Sequence, residues 1–162
     1  MISSKEMATI LDHATNRFLE NDKYLLTVEA NERSMTHKFA EYLQSQIDES
    51  WNVDCEYNRD GSDPKKIDEI DSVISSNGIP TTRDTEAKTV FPDIIIHKRG
   101  KDGENLLVIE AKKNPTPAQE ETDTIKLEKI QEQYRYRFSV FLSFFVGEDK
   151  KDISWKIHKE LV

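Results

Sequence analysis

Between residues 4 and 20 the apolar positions Met7, Ile10, Leu11, Ala14 and Phe18 recur three and four apart, and Ser3 precedes Glu6 by the three residues of a capping box. That pattern predicts a helix over about 4–20. From about Asn31 a second stripe, Met35, Phe39, Tyr42, Leu43 and Ile47, predicts another helix packed on the core. "WNVDCEYN", residues 51–58, sets Val53, Cys55 and Tyr57 against Asp54, Glu56 and Asn58, the period of a strand with one apolar face. Asp63 and Pro64 have the chemistry of an N-cap and first turn, and Ile67, Ile70, Val73 and Ile74 then predict a short amphipathic helix stopped by Asn77 and Gly78. Residues 59–89 read as an insertion within a single domain spanning 1–162. Asp123 is expected to cap a last helix carrying Leu127, Ile130 and Tyr134, followed by the buried strand "FSVFLSFFV" and an edge strand in "ISWKIHKELV".

The most informative stretch is "FPDIIIHKRGKDGENLLVIEAKKN", residues 91–114. Two apolar runs, Ile94–Ile96 and Leu106–Ile109, flank "KRGKDGE", whose glycines permit the backbone angles of a tight reversal. The stretch predicts a β-hairpin. With the reversal centred between Lys101 and Asp102, Leu106 faces His97, Val108 faces Ile95 and Glu110 faces Asp93. Opposed side chains have Cβ atoms about 5 Å apart, and Lys112 lies one alternation beyond Glu110, roughly 7 Å along the strand. Apolar residues on both faces of the hairpin imply helices on both sides and a central place in the sheet.

Composition narrows what such a sheet could serve. With 162 residues the chain has the length of one ordinary domain, and 36% hydrophobic against 33% charged residues implies a densely charged surface around a few apolar segments. One cysteine, Cys55, excludes an internal disulfide framework, and no cysteine–histidine spacing suggests zinc; the thiol is expected to be buried and inert. Neither a leader-like start nor an apolar stretch long enough to span a bilayer is present, so a soluble, cytoplasmic protein without a membrane partner is expected. The net charge of −8 makes the whole molecule a poor electrostatic partner for nucleic acid, so phosphate binding would need a local patch.

Two carboxylates opposed in a central sheet repel each other and cost desolvation energy. A divalent cation is the economical offset: Mg²⁺ prefers oxygen ligands, binds through one or two carboxylates, and keeps waters for chemistry or for replacement by phosphate oxygens. The plainer account is that Asp93 and Glu110 each mark a strand end in solvent. Taken separately, a Pro-Asp pair and a Glu-x-Lys triplet favour that account, but the register brings both to one point on one face.

At these residues the sequence resembles the PD-(D/E)XK nuclease superfamily, which includes restriction endonucleases, Holliday-junction resolvases and related repair and defence nucleases. Pro92-Asp93 matches its first motif element and Glu110-Ala111-Lys112 its second, and residues from about 31 to 146 follow the order of its αβββαβ core. The resemblance implies an α/β, restriction-endonuclease-like fold with a mixed four- to five-stranded sheet flanked by helices. It implies a DNA-cleaving hydrolase dependent on Mg²⁺, with Mn²⁺ as substitute. Asp93, Glu110 and the Ala111 carbonyl would ligate metal, and Lys112 would orient or activate the attacking water. The insertion and the net acidity depart from the family's usual pattern.

Many members also carry a glutamate on the helix before the first core strand, and Glu32 shares a face with Met35, Phe39 and Leu43. The competing account is a first-turn glutamate favoured by the helix dipole. Glu56 or Asn58 could border the site. His97 is expected to pack under a helix, and His13 and His37 to lie on the surface. Lys113, Lys126, Lys129 and Arg137 are candidates for a phosphate-binding patch, the last three on one stripe if the last helix runs far enough; each alone reads as a solvated face. The alternative function is a catalytically silent member of the fold, a binding or regulatory subunit whose acidic surface meets a protein partner or a second copy in a homodimer.

Overall fold

A computed structural model describes residues 2–57, 59–60, 63–64, 66–67, 88–89, 91–100, 104–147 and 150–161. Helix α1 (Ser4–Asn21) starts with the expected capping box: Ser3 Oγ accepts from the Glu6 N–H, and Glu6 Oε2 accepts from the Ser3 N–H at 2.7 Å. Its face of Met7, Leu11, Ala14 and Phe18 is buried. After the short α2 (Lys23–Thr27), α3 (Glu32–Gln44) is capped by Asn31, which accepts from the Ser34 N–H at 2.8 Å, and buries Met35, Phe39 and Leu43. Strand β1 (Asn52–Cys55) follows. Glu56 then takes a left-handed backbone, φ 50°, which breaks the alternation expected through residue 58. Val53 and Cys55 pack on the α1/α3 side, whereas Tyr57 joins the opposite side. Asn58 lies outside the described residues.

Within 59–89, two-residue ladders pair β2 (Arg59–Asp60) with β3 (Asp63–Pro64) and β4 (Lys66–Ile67) with β5 (Lys88–Thr89). Asp63 and Pro64 therefore do not open a helix. Their backbone is extended, a conformation proline tolerates at sheet edges. The rest of that expected helix, 68–78, lies outside the described residues.

The hairpin forms as expected between β6 (Ile94–His97) and β7 (Asn105–Lys113), with Ile94 facing Ile109, Ile95 facing Val108 and Ile96 facing Leu107. One part of the register is corrected. A bulge after Ile96 sets His97 against Asn105, not Leu106. Gly100 takes φ +69°, the angle the reversal requires, and residues 101–103 lie outside the described residues.

Helix α4 begins earlier than Asp123, at Pro117, and runs to Tyr134. Thr116 caps it with Gln119 completing a capping box, so Asp123 sits inside the helix and caps nothing. Strand β8 (Phe138–Phe145) pairs parallel with β7, and β9 (Asp152–Glu160) supplies the expected edge strand. The protein is thus α/β, with a mixed, open five-stranded sheet in the order β1-β6-β7-β8-β9. One face, with Ile94, Ile96, Leu107, Ile109, Val140 and Leu142, packs under α1 and α3; the other, with Ile95, Val108 and Phe141, packs under Leu127 and Ile130 of α4. The hairpin is buried on both sides. Among the described residues no helix is long and apolar enough to cross a membrane.

Candidate active site

The parity of β7 decides where its charges go. Val108 belongs to the α4 side, so Glu110 and Lys112, one and two alternations further on, face α4, while Ala111 turns its methyl into the opposite core. Asp93 immediately precedes β6. Its carbonyl accepts from the Glu56 N–H at 3.2 Å, and its side-chain Oδ2 accepts from the Ala111 N–H at 2.7 Å. The Asp93 carboxylate is thereby fixed against β7, beside Glu110, as the hairpin register requires.

Glu110 is only 5% exposed. Lys126 on α4 brings its Nζ to 2.8 Å from both carboxylate oxygens but donates in hydrogen-bonding geometry to Oε2 alone, which leaves Oε1 buried without a hydrogen bond. Burial pushes the Glu110 carboxyl up to about 8; Lys126 opposes the shift, and the charges of Asp93 and Asp123 add to it. Burial likewise raises Asp93, against the Ala111 N–H and Lys126, while Glu32 pushes the same way as burial. Both acids thus resist ionising together.

Lys112 Nζ lies 3.6 Å from Asp123 Oδ2. Burial works to lower the lysine, but Asp123, Glu32 and Asp93 outweigh it and leave its pKa raised. Lys112 is therefore a fixed cation at neutral pH. Glu32 is half-buried and does not point into open solvent: its Oε2 accepts from the Lys113 N–H at 2.7 Å, across from the end of β7. Glu32 and Asp93 also line one cleft of about 570 Å³, together with Thr36, Cys55 and Glu56.

The expected basic patch does not assemble as a stripe. Lys126 turns inward to Glu110, and Lys113 reaches back to the Glu29 carbonyl at 3.4 Å. Lys129 lies about one turn further along α4 and is partly buried. Arg137 is a correction: the helix stops at Tyr134, so Arg137 falls outside it, ion-paired with Glu160 at 2.9 Å. It sits four residues before Phe141, the β8 partner of Glu110, roughly 13 Å away along the strand. His97 is buried, but among the described residues its contacts are with β1 and the residues after it, not with a helix: it lies against the ring of Tyr57, with Nε2 2.8 Å from Asp54 Oδ2, and Arg99 clamps the same carboxylate. His13 and His37 are exposed. Cys55 is half-buried, and burial pushes its thiol up to about 11, so it carries no thiolate.

Two members of this cluster were not anticipated in those roles. From the sequence Asp123 is expected as the helix cap and Lys126 as part of a phosphate-binding patch, although "TPAQ", residues 116–119, has the threonine, proline and glutamine of a capped start that puts Asp123 inside the helix. A further signal has no sequence signature. Four non-glycine residues among those described hold positive φ, and three adjoin this region: Glu29 (51°), Glu56 (50°) and Asn114 (45°). Such strain concentrates where a fold over-determines a functional geometry.

No three histidine, cysteine, aspartate or glutamate side chains among the described residues stand close enough to hold a metal ion as they are. Two carboxylates and water are nevertheless a sufficient set for Mg²⁺, and the unbonded Glu110 Oε1 beside Asp93 fits that need. The ion pair to Lys126 is what such a cation would have to replace. Compared with models of protein families, with curated proteins and with solved structures, the chain matches none.

Proposed function

We propose that this chain is a metal-dependent deoxyribonuclease built on a restriction-endonuclease-like version of its α/β fold. The observation that carries the reading is the pair of acids, buried Glu110 and partly buried Asp93, held on one face of the central hairpin with a Glu110 oxygen left without a hydrogen bond. Asp93 and Glu110, with the Ala111 carbonyl, would hold Mg²⁺ or Mn²⁺. When bound, such an ion supplies an acidified water and charge neutralisation at the phosphate. The remaining work falls to the protein's own groups. Lys112, kept protonated by Asp123, Glu32 and Asp93, cannot serve as a base; it orients the attacking water and holds a phosphate oxygen by charge. Asp123 positions Lys112, and Glu32 ties the end of β7 to α3. Lys126 donates a hydrogen bond to Glu110 before metal arrives, and becomes its counter-ion where the carboxyl has lost its proton.

Purified protein is expected to cut linear, branched or single-stranded DNA with Mg²⁺ or Mn²⁺ and to stop in EDTA, and Lys112→Met is expected to abolish cutting at unchanged thermal stability. Cleavage that survives Lys112→Met would overturn the assignment. A second reading has its own support: both lysines of the cluster are already engaged within the chain, Lys126 with Glu110 and Lys112 with Asp123. Under that reading the chain is a silent subunit for a protein partner or a second copy of itself. Calorimetry separates the two, because a silent subunit takes up no Mg²⁺ and cuts nothing.

A further inference from the structure

At the opposite end of β7 from Glu110 lies a second cleft, of about 710 Å³, within the range of small-molecule sites. Its apolar walls are Ile2, Trp51, Leu106 and Leu161, and its charged lining is Arg135, Arg137 and Lys159 with Glu104 and Glu132. Leu106 stands four residues before Glu110, roughly 13 Å along the strand, so this cleft is separate from the acids.

Three features make it a built site. The two register shifts in the main sheet, after Ile96 opposite Asn105 and between Ser139 and Val140, both fall at this end of the strands. Bulges re-aim side chains and recur beside binding sites. Next, Gln131, with no exposed surface, donates to the carbonyls of Arg137 and Lys159, both at 3.1 Å, and accepts from the Ser139 hydroxyl at 2.8 Å, which locks α4, β8 and β9 into one wall. Finally, Arg135 ends α4 with φ 54°, a position that glycine or asparagine fills at lower cost. Lys159 is paired with Glu132, but the Arg135 guanidinium makes no ion pair with any described residue.

We infer that this cleft binds a small molecule with a planar apolar body and one anionic group, the body against Trp51 and Leu106 and the anion held in bidentate fashion by Arg135. Charge complementarity fixes the sign: of the charged groups lining the cleft, Glu104 pairs with Lys98, Glu132 with Lys159 and Arg137 with Glu160, so among the described residues Arg135 is the lining cation left without an ion pair. The inference does not rest on nuclease activity.

The test uses 2-naphthoate and its neutral counterpart 2-naphthamide, titrated into the full chain and followed by amide and indole nitrogen–proton shifts. Naphthoate is expected to shift the Trp51 indole and the Asn105 amide. Arg135→Gly, which suits the left-handed backbone and so keeps the fold, is expected to weaken naphthoate at least tenfold while leaving the weaker naphthamide binding unchanged. Arg135→Lys is expected to recover part of the loss. The inference is overturned if naphthoate shifts neither group at millimolar concentration, or if it binds wild type and Arg135→Gly equally.

Discussion

Asp93 divides its two oxygens between tasks. One is committed to the Ala111 N–H, a buried donor that would otherwise go unsatisfied, and under the proposed function the other is left to the metal. Substitutions at Asp93 should therefore separate fold from function. Asp93→Asn keeps an acceptor for that N–H, so it should abolish cleavage at nearly unchanged melting temperature. Asp93→Ala should also abolish cleavage, and should cost about 1–3 kcal/mol of stability, read by urea denaturation, because the N–H loses its partner. Equal stability of the two variants would show that the bond contributes nothing. Glu110 yields a different prediction. Its folded carboxyl is raised from 4.5 to about 8, so between those values the folded chain holds a proton that the unfolded chain has lost. Stability should consequently be greatest below about pH 4.5 as far as this group is concerned, and should fall as pH rises towards 8, by on the order of a few kcal/mol. Glu110→Gln should flatten that slope. A wild-type stability curve with no decline across this window that Glu110→Gln removes would contradict the shift.

Elements decide which residues meet. The hairpin was legible because two apolar runs, a glycine-containing reversal and a period of two leave one register that buries both faces, and Asp93 and Glu110 followed from it. The bulge at His97 was not legible, since an inserted residue changes no pattern around it. Helix α4 was misread at its start for a physical reason: its apolar contacts are confined to residues such as Leu127 and Ile130, so its first half carries no stripe, and Asp123 offered the more conspicuous cap. Thr116 in fact does the capping. Thr116→Ala should cost about 1 kcal/mol in thermal unfolding. Because the first turns of α4 hold Asp123, the same change should loosen Lys112, whereas Asp123→Ala should leave global stability nearly intact and still lower activity. Arg137 leaves the expected helix stripe for the same reason, as its place there depended on the helix continuing past the end that Arg135 closes.

For the whole molecule, the net charge of −8 means that any cation relieves some general repulsion, so a metal effect must be distinguished from screening. Mg²⁺ at millimolar concentration should raise the melting temperature by more than NaCl of equal ionic strength. The difference should be larger at pH 8 than at pH 6, since binding requires both carboxyls to lose their protons. Asp93→Asn and Glu110→Gln should each erase it. A rise that both variants retain would assign the effect to the surface and not to the acids.

The central position of β7 has a consequence for motion. It is paired antiparallel on one side and parallel on the other, and residues 106–111 are buried. In deuterium exchange the amides of residues 107–111 should be among the last to label, released only when the entire domain opens, while the edge strands β1 and β9 label through local fraying. Since Glu110 is carried by β7 and Asp93 is bonded to it, the cluster cannot melt ahead of the fold. Destabilising changes elsewhere should then lower the fraction of competent molecules without altering the behaviour of those that remain folded.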